Sequence, residues 1–214
     1  MNDERALQLV VREFKRLGII LESDRKLPCV TALVAGERMK GSWWSHPKGR
    51  KIWHVLNRFL SRPDVLTTRL VSAKVTFIHR NLWPDLLAVG TSKESWQTDS
   101  LSPRVLRLLK LVERRGQMRT DDPKWKGAEA KSISDAARAL ELRLLVYSEE
   151  VHTARGFHAK LLQSWKQWSH KADFTVVLPH VTEAKSKFEE LLRRLNKEYG
   201  ADGTLPWPET QGIK

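Results

Sequence analysis

Cysteine is nearly absent from this chain. The one cysteine, Cys29, excludes an internal disulfide and a cluster of thiolate metal ligands. We interpret it as a small buried apolar residue. No stretch approaches the roughly 18 apolar residues of a membrane-spanning helix, and the charged N-terminus lacks the apolar core of a signal peptide. We therefore expect a cytoplasmic protein, nucleoid-associated if bacterial, with no membrane partner.

Several motifs of enzyme sites are also missing. The chain has no Gly-x-x-x-x-Gly-Lys-Ser/Thr phosphate loop and no Gly-x-Ser-x-Gly elbow, so neither ATP use nor that kind of hydrolase is indicated. The histidines match no zinc spacing such as His-Glu-x-x-His; those considered are His46, His54, His79, His152 and His158. We expect neither a metal site nor a cofactor.

Acidic residues are scarce where basic residues are most frequent. The chain has 38 Lys or Arg against 25 Asp or Glu, which gives a formal net charge of +13. Residues 38–80 hold ten basic side chains and a single acid, Asp64, and so contribute +9. Residues 104–131 hold nine basic and four acidic side chains. Such a surplus usually faces a polyanion, whereas the nearly balanced region 182–199 is typical of a solvated helix.

Apolar spacing and capping residues predict helices and one hairpin in the first half of the chain. The first helix begins after Asn2 and ends at Gly18. Two more helices, two strands joined through Ser72-Ala73, and a helix capped by Asn81 and ended by Gly90 follow. Their predicted ranges are 28–37, 49–62, Val65–Val71, Lys74–His79 and 81–89, and residues 91–100 are predicted to form a loop.

The second half of the chain has the pattern of a winged helix-turn-helix over residues 101–165. Ser102-Pro103 predicts the start of a strong helix that Gly116 ends. The later elements are a helix whose start is Thr120-Asp121-Asp122-Pro123, a helix at 130–142, strands at Leu144–Thr153 and Phe157–Trp165 joined by Ala154-Arg155-Gly156, and a last helix capped by Thr182 and ended by Gly200.

These elements predict an α+β, mostly helical fold of tandem winged helix-turn-helix modules with small β-hairpin wings. Segment 49–79 repeats the helix-then-hairpin ending of the second module, although the residues themselves do not repeat. The predicted organisation is an N-terminal winged-helix-like module (1–95), a winged helix-turn-helix module (101–170), and a C-terminal packing segment (171–214) whose tail after Pro208 is expected to be disordered.

The segment from Ser42 to Lys51 has the most unusual local composition. Two adjacent tryptophans precede three cations and a glycine. Backbone amides near a helix start, together with these cations, predict a phosphate-binding position, and Trp43 or Trp44 could stack on an unpaired base. The alternative is that one tryptophan anchors the core and the other covers it, which is the commoner role of an indole.

A recognition helix and a wing supply the remaining candidates. If Ile133, Ala137 and Leu140 are buried, the opposite face of their helix is polar and cationic and suits the major groove. A solvated helix face and an ordinary turn are the alternatives. The predicted DNA-binding residues are Trp44, His46, Lys48, Arg50, Lys51, Lys74, Arg80, Arg119, Lys131, Ser134, Arg138, Arg155 and Lys160.

Four stretches carry a resemblance to a known family and together run through most of residues 40–165. They are SWWSHPKGRKIW, RLVSAKVTFIHRNLWPDLLAVG, LSPRVLRLLKLVERRGQMRTDD and AARALELRLLVYSEEVHTARGFHAKLLQSW. The chain resembles the winged-helix DNA-binding proteins related to the AlkZ-type DNA glycosylases, most closely their shorter members. The resemblance implies tandem winged helices and duplex DNA as the partner.

The same resemblance implies less about catalysis. Full-length members of that family excise modified bases with a Gln-x-Gln motif, and no two glutamines here have that spacing. The chain is also shorter than three winged modules require. We expect DNA binding, and the alternative is a glycosylase-type repair enzyme that excises an altered base, with Asp64, Asp85, Asp99 and Glu113 as candidate acids. RNA is the less favoured partner, because ribonucleoprotein aromatic motifs are absent.

Electrostatic binding predicts a steep salt dependence. Each phosphate that the protein neutralises should contribute about 0.9 to the slope of log affinity against log salt concentration. Fluorescence anisotropy of a labelled duplex, titrated at several salt concentrations, measures this slope. A slope near zero would contradict binding through the basic segments.

Overall fold

The chain folds as an α+β protein, mostly helical, with small antiparallel sheets, which confirms the predicted fold class at that level. The computed structural model describes residues 2–122, 128–152 and 158–208. They pack as two compact units, one made of residues 2–83 and 185–208 and the other of the described part of 84–184. The predicted modules divide the chain into consecutive segments, whereas the first of these units joins residues 2–83 with residues 185–208.

The first unit combines helices with a three-stranded antiparallel sheet. Its elements before the division are α1 (Asp3–Leu17), β1 (Ile19–Leu21), α2 (Val30–Ala35), α3 (Gly49–Leu60), β2 (Val65–Thr68) and β3 (Thr76–His79). β3 is the central strand, where Phe77 lies opposite Ile20 of β1 and Ile78 lies opposite Leu66 of β2. The first strand of the unit therefore pairs with the last strand, and the hairpin closes the sheet.

Both predicted ends of α1 are confirmed. The Asn2 side chain accepts a hydrogen bond from the Arg5 amide at 2.9 Å. Gly18 ends the helix with a φ of 79°, and its N–H donates to the Phe14 carbonyl. Because a residue with a Cβ is strained at this φ, glycine allows the chain to leave the helix and begin β1 at Ile19.

Three phenylalanines connect α1, α3 and β3 in the core. Phe59 lies edge-to-face against Phe14, with ring centroids 5.0 Å apart, and against Phe77, with centroids 5.4 Å apart. Ile52 and Val55 are fully buried on the same face of α3 as Phe59. This burial confirms the apolar face that the sequence predicts for α3.

The strands of the first hairpin are shorter than the sequence predicts. β2 ends at Thr68 rather than Val71, and β3 begins at Thr76 rather than Lys74. The Val71 amide donates to the side-chain oxygen of Thr76 at 3.1 Å, so it is not available for pairing between the strands. The predicted turn at Ser72-Ala73 is confirmed, with φ of 50° and 57° at the two residues.

The second unit has its own three-stranded antiparallel sheet, and, as in the first unit, a helix and a short strand come before the helix and hairpin that end the pattern. Its described elements are α4 (Trp83–Thr91), which begins at the division, α5 (Ser95–Thr98), α6 (Pro103–Arg115), β4 (Gln117–Arg119), α7 (Ala128–Leu142), β5 (Tyr147–His152), β6 (His158–Gln163) and α8 (Trp165–Lys171). β6 lies between β4 and β5, so the strand order matches that of the first unit. The core residues include Leu108, Val112, Ile133, Ala137, Leu140 and Leu162.

The predicted boundaries of α6 are confirmed, but those of the preceding helix are wrong. Residues Arg80–Leu82 form a 3-10 turn instead of an Asn81 cap, and α4 continues through Gly90. The predicted loop at 91–100 contains α5, which begins with a capping box. The Glu94 side chain accepts from the Gln97 amide, and Oε1 of Gln97 accepts from the Glu94 amide at 3.0 Å.

The predicted helix start at 120–123 runs into residues outside the described ranges, but its first residue, Thr120, is hydrogen-bonded to the sheet. The Thr120 amide donates to the Lys160 carbonyl at 2.9 Å, and its side-chain oxygen accepts from the Lys160 amide at 2.9 Å. Thr120 therefore extends the pairing of β4 with β6, and β4 is a strand that the sequence analysis missed. Residues 123–127, where the predicted helix continues, lie outside the described residues.

The second hairpin is shorter than predicted at both outer ends. Leu144 has a φ of 55° and is not extended, so β5 begins only at Tyr147. β6 ends at Gln163 because Ser164 caps α8, accepting from the Gln167 amide at 3.2 Å. The predicted turn residues Ala154, Arg155 and Gly156 lie outside the described residues.

The last helix, α9 (Val181–Tyr199), begins one residue earlier than its predicted cap. Thr182 is inside the helix, and its amide donates to Nδ1 of His180 at 3.3 Å. Its predicted end at Gly200 is confirmed, with a φ of 59°. The tail after Pro208 lies outside the described residues. Of the helices in the described ranges, none is long and apolar enough to cross a membrane.

The substitution Gly90→Ala should destabilise the protein. A Cβ at this position would lie 2.4 Å from Nε1 of Trp165, a buried indole whose N–H donates to the Leu144 carbonyl at 2.6 Å. We expect a loss of about 1–3 kcal/mol in the free energy of unfolding, measured by urea denaturation. Helix propensity alone would give a gain of about 0.5–1 kcal/mol, so unchanged or increased stability would contradict this close packing.

Candidate nucleic-acid interface

A stacked pair of tryptophans precedes α3. Trp43 is 6% exposed, and its Nε1 donates to Oε1 of Glu22 at 3.0 Å, whereas Trp44 is 66% exposed. The two ring centroids are 4.0 Å apart and the ring planes differ by 23°. One indole thus anchors the core and the other covers it, and the covering ring remains largely open to solvent.

The chain turns sharply between this pair and α3. The Gly49 amide donates to the His46 carbonyl at 2.7 Å. A Cβ on Gly49 would lie 2.9 Å from the carbonyl oxygen of Trp43 and 3.1 Å from that of Trp44. Contacts this close to backbone atoms cannot be relieved by a side-chain rotation, so glycine is required where the helix begins.

His46 and Lys48 already have polar partners within the first unit. Nδ1 of His46 accepts from the Lys48 amide at 3.1 Å, and Nε2 lies 3.5 Å from Oε1 of Glu37. Nζ of Lys48 donates to the carbonyl of Ala35, the last residue of α2, where a cation is favoured by the helix dipole. Of the side chains at the start of α3, Arg50 is therefore the main candidate to hold a phosphate.

The solvent face of α3 carries Arg50, Trp53 and Asn57, all of which are exposed. Arg50 makes no ion pair with any residue that the structure describes. Lys51 is half-buried and already takes part in an interaction within the protein, unlike Arg50, for which the described residues show none. The sequence analysis missed Trp53 and Asn57, although helical spacing from Arg50 would have placed them on the same face.

Two other candidates of the first unit, Lys74 and Arg80, are exposed but have partners. Nζ of Lys74 lies 2.6 Å from Oδ2 of Asp24. Burial would raise the pKa of Asp24, but hydrogen bonds from Lys74 and from two backbone amides hold it below its ordinary value. The Arg80 guanidinium lies over the Trp83 ring, 5.2 Å from its centroid.

Arg119 and Lys160, candidates of the second unit, are ion-paired. Arg119 forms two hydrogen bonds with Asp121, at 2.8 and 2.9 Å. Nζ of Lys160 lies 2.6 Å from a carboxylate oxygen of Glu141, a residue that is 4% exposed. Because a buried carboxylate needs a compensating cation, Lys160 connects β6 to α7.

The solvent face of α7 carries the remaining candidates. Ala137 is fully buried, whereas Ser134 and Arg138 are exposed, as the apolar spacing of this helix predicts. Arg138 forms no ion pair with a side chain in the described residues. The side chain of Lys131 and all of Arg155 lie outside them.

The four acids considered for base excision are paired or lack an enclosed site. Asp64 pairs with Arg62 through two contacts of 2.9 Å. Burial would raise the pKa of Asp64, but the hydrogen bonds and charge of Arg62 outweigh it, so the pKa lies below its ordinary value. Glu113 pairs with a lysine at 2.8 Å, Asp85 is buried in the first turn of α4, and Asp99 is exposed.

Among the described residues, no group of three or more His, Cys, Asp or Glu could hold a metal ion. One cavity of about 480 Å³ lies between the start of α6 and residues 132–136 of α7, and Arg104 and Arg107 are among its lining residues. Another, of about 300 Å³, lies beside α2. Trp44 and Arg50 line neither cavity.

Comparison with known proteins gives one distant structural match. No known family and no curated protein matches the chain. The fold is similar to the Streptomyces sahachiroi DNA glycosylase AlkZ, with 15% sequence identity and a TM-score of 0.44, over 86% of this chain and 50% of that one. The chain thus spans about half the length of that structure. A likeness at this level assigns no function, so function must be argued from this chain's own residues.

The substitution Lys160→Met should strongly destabilise the protein, because it leaves Glu141 buried without a cation. Losing one partner of a buried ion pair costs about 3–5 kcal/mol. We expect the free energy of unfolding, measured by urea denaturation, to fall by about 3 kcal/mol. This is the lower end of that range, because 25% of the Lys160 side chain is exposed. Adding Glu141→Gln should recover part of the loss.

Lys171→Met is the matched control for this prediction. Lys171 is an exposed lysine of the same unit that donates to the Gln117 side chain. Its replacement should change stability by less than about 0.5 kcal/mol. Equal effects of the two lysine substitutions would show that the pair with Glu141 has no special role.

Proposed function

We propose that this chain binds duplex DNA through two winged-helix units, with α3 and α7 approaching the grooves and a basic surface contacting phosphates. One observation carries the proposal. The helix before the hairpin in each unit exposes an arginine, Arg50 or Arg138, that no described carboxylate neutralises. A helix that enters a groove requires polar and cationic side chains on the face away from the core.

The order of elements supports the winged-helix interpretation. In the first unit α1 and β1 precede two helices, α2 and α3, and a β-hairpin, and in the described part of the second unit α6 and β4 precede α7 and a β-hairpin. The short strand pairs with the last strand of the hairpin, β1 with β3 and β4 with β6. A helix-turn-helix protein reads the major groove with the helix in this position, and the hairpin that follows it corresponds to the wing.

The charge of the chain supports a polyanionic partner. Several cations of residues 38–80 pair internally, including Arg58 with Glu4 and Lys74 with Asp24. Internal pairing cannot remove the surplus, because 38 basic side chains face only 25 acidic ones. A surplus of 13 positive charges therefore remains for external anions, and a nucleic-acid backbone supplies these at regular spacing.

We do not extend base excision, the activity that the name of the AlkZ structure indicates, to this chain. Excision needs an acid or a water-positioning group beside an extruded base. Asp64 and Glu113 are committed to ion pairs, and Asp99 is exposed. Asp85 is buried in the first turn of α4, where the helix dipole favours an acid. Binding without cleavage is the function that these side chains favour.

Substitution of the two exposed arginines tests the proposal. Arg50→Ala and Arg138→Ala should each weaken binding to a labelled duplex about five- to tenfold, because a groove or phosphate contact is lost. A lost phosphate contact should also lower the salt slope by about 0.9. Fluorescence anisotropy at several salt concentrations measures both quantities.

Arg193→Ala is the matched control. Arg193 is an exposed arginine of α9 and makes no ion pair with a described residue, but it lies on a helix of balanced charge. Its loss should change affinity less than about twofold. Equal losses for all three variants would contradict the assignment of α3 and α7. Absence of wild-type binding at low salt would overturn the proposed function, and alkali-labile breaks in damaged DNA would show a glycosylase instead.

A further inference from the structure

We infer that Trp44 is a stacking platform for an unpaired base, so that the protein prefers DNA containing a base outside the helical stack over fully paired DNA. This inference rests on the proposed DNA binding and names its preferred substrate class. Two features of the structure support it, the exposure of Trp44 and the stacking of its ring on Trp43.

One face of the Trp44 indole is covered and the other is open. Trp43 lies nearly parallel to it at a centroid separation of 4.0 Å, which fills one face. Trp44 is nevertheless 66% exposed, so the exposed area must belong to the opposite face and the ring edges. An aromatic ring presented in this way can accept a nucleobase as the next layer of the stack.

The ring beneath Trp44 is fixed in the core. Trp43 is 6% exposed, and its Nε1 donates to the Glu22 carboxylate at 3.0 Å. The backbone of Glu22 is itself held, since its amide donates to the Val75 carbonyl and its carbonyl accepts from the Thr31 amide. Because its support is ordered before binding, Trp44 should lose little freedom when a base stacks on it.

The charge around Trp44 favours a nucleic acid over an apolar protein partner. The first turn of α3 is close to the backbone of Trp43 and Trp44. The Cβ position of Gly49 lies 3.1 Å from the Trp44 carbonyl oxygen. Arg50 follows in that turn, is exposed, and forms no ion pair with a described residue. An exposed aromatic ring, with an exposed arginine in the adjoining helical turn, matches a base and the phosphate of its strand.

Paired DNA cannot use this platform. In a continuous duplex the faces of each base are covered by its neighbours, so an indole at the surface can reach only base edges and backbone. A bulged or extruded base has a free face, and unstacking it costs least where it is already unpaired. The platform therefore favours DNA with an unpaired nucleotide.

Two labelled duplexes of the same sequence test the inference, one fully paired and one with a single bulged adenine. We expect the wild-type protein to bind the bulged duplex about tenfold more tightly in anisotropy titrations. Trp44→Ala should bring the ratio of the two affinities close to one, because the stacking contact with the bulged base is lost. Trp44→Phe should retain part of it, because a smaller ring still stacks.

Trp53→Ala is the matched control, since Trp53 is a second exposed tryptophan, 45% exposed, on α3. Its loss should leave the ratio of the two affinities unchanged. In a third duplex, with 5-iodouracil as the bulged base in place of adenine, irradiation should crosslink that base to the peptide containing Trp44. Equal wild-type affinity for both duplexes, or a preference that survives Trp44→Ala, would overturn the inference while DNA binding stands. Failure to bind either duplex would overturn the proposed function as well.

Discussion

The contacts of Phe59 with Phe14 and Phe77 set the rotation of α3 about its own axis, and the exposed surface of the first unit follows from that rotation. Turning the helix by one residue, about 100°, would expose Phe59 or bury Arg50. Full burial of a phenylalanine side chain contributes about 1.5–3 kcal/mol, whereas an exposed arginine contributes little to stability. Apolar packing therefore decides which charged side chains face the solvent.

Local features made much of the fold predictable from the sequence. The apolar stripes of α1, α3 and α6 and the caps at Asn2 and Ser102 act within one or two helical turns, so neighbouring residues determine them. β4 was missed because it is three residues long and is defined by its pairing with β6. Gly90 was interpreted as a helix end, but its role is to leave space for the Trp165 indole, which is distant in sequence.

The candidate site was predictable in its residue types and less so in their partners. The exposed positions of Arg50 and Arg138 follow from the helical spacing of the buried residues, whereas the sequence left open which of Trp43 and Trp44 is exposed. The partners of Lys160 and Lys74 are 19 and 50 residues away in the sequence, and no local pattern indicates them. A count of cations in a basic segment consequently overstates how many are available to a ligand.

The carboxylate of Glu141 joins three elements of the second unit. It lies at the end of α7, accepts from the Ser148 hydroxyl of β5, and pairs with Lys160 of β6. The helix and both strands of the hairpin are thus held by one buried group, which resists their independent movement. A ligand that displaces the hairpin must therefore also displace α7. This part of the protein is preorganised, so it should bind a surface without first rearranging.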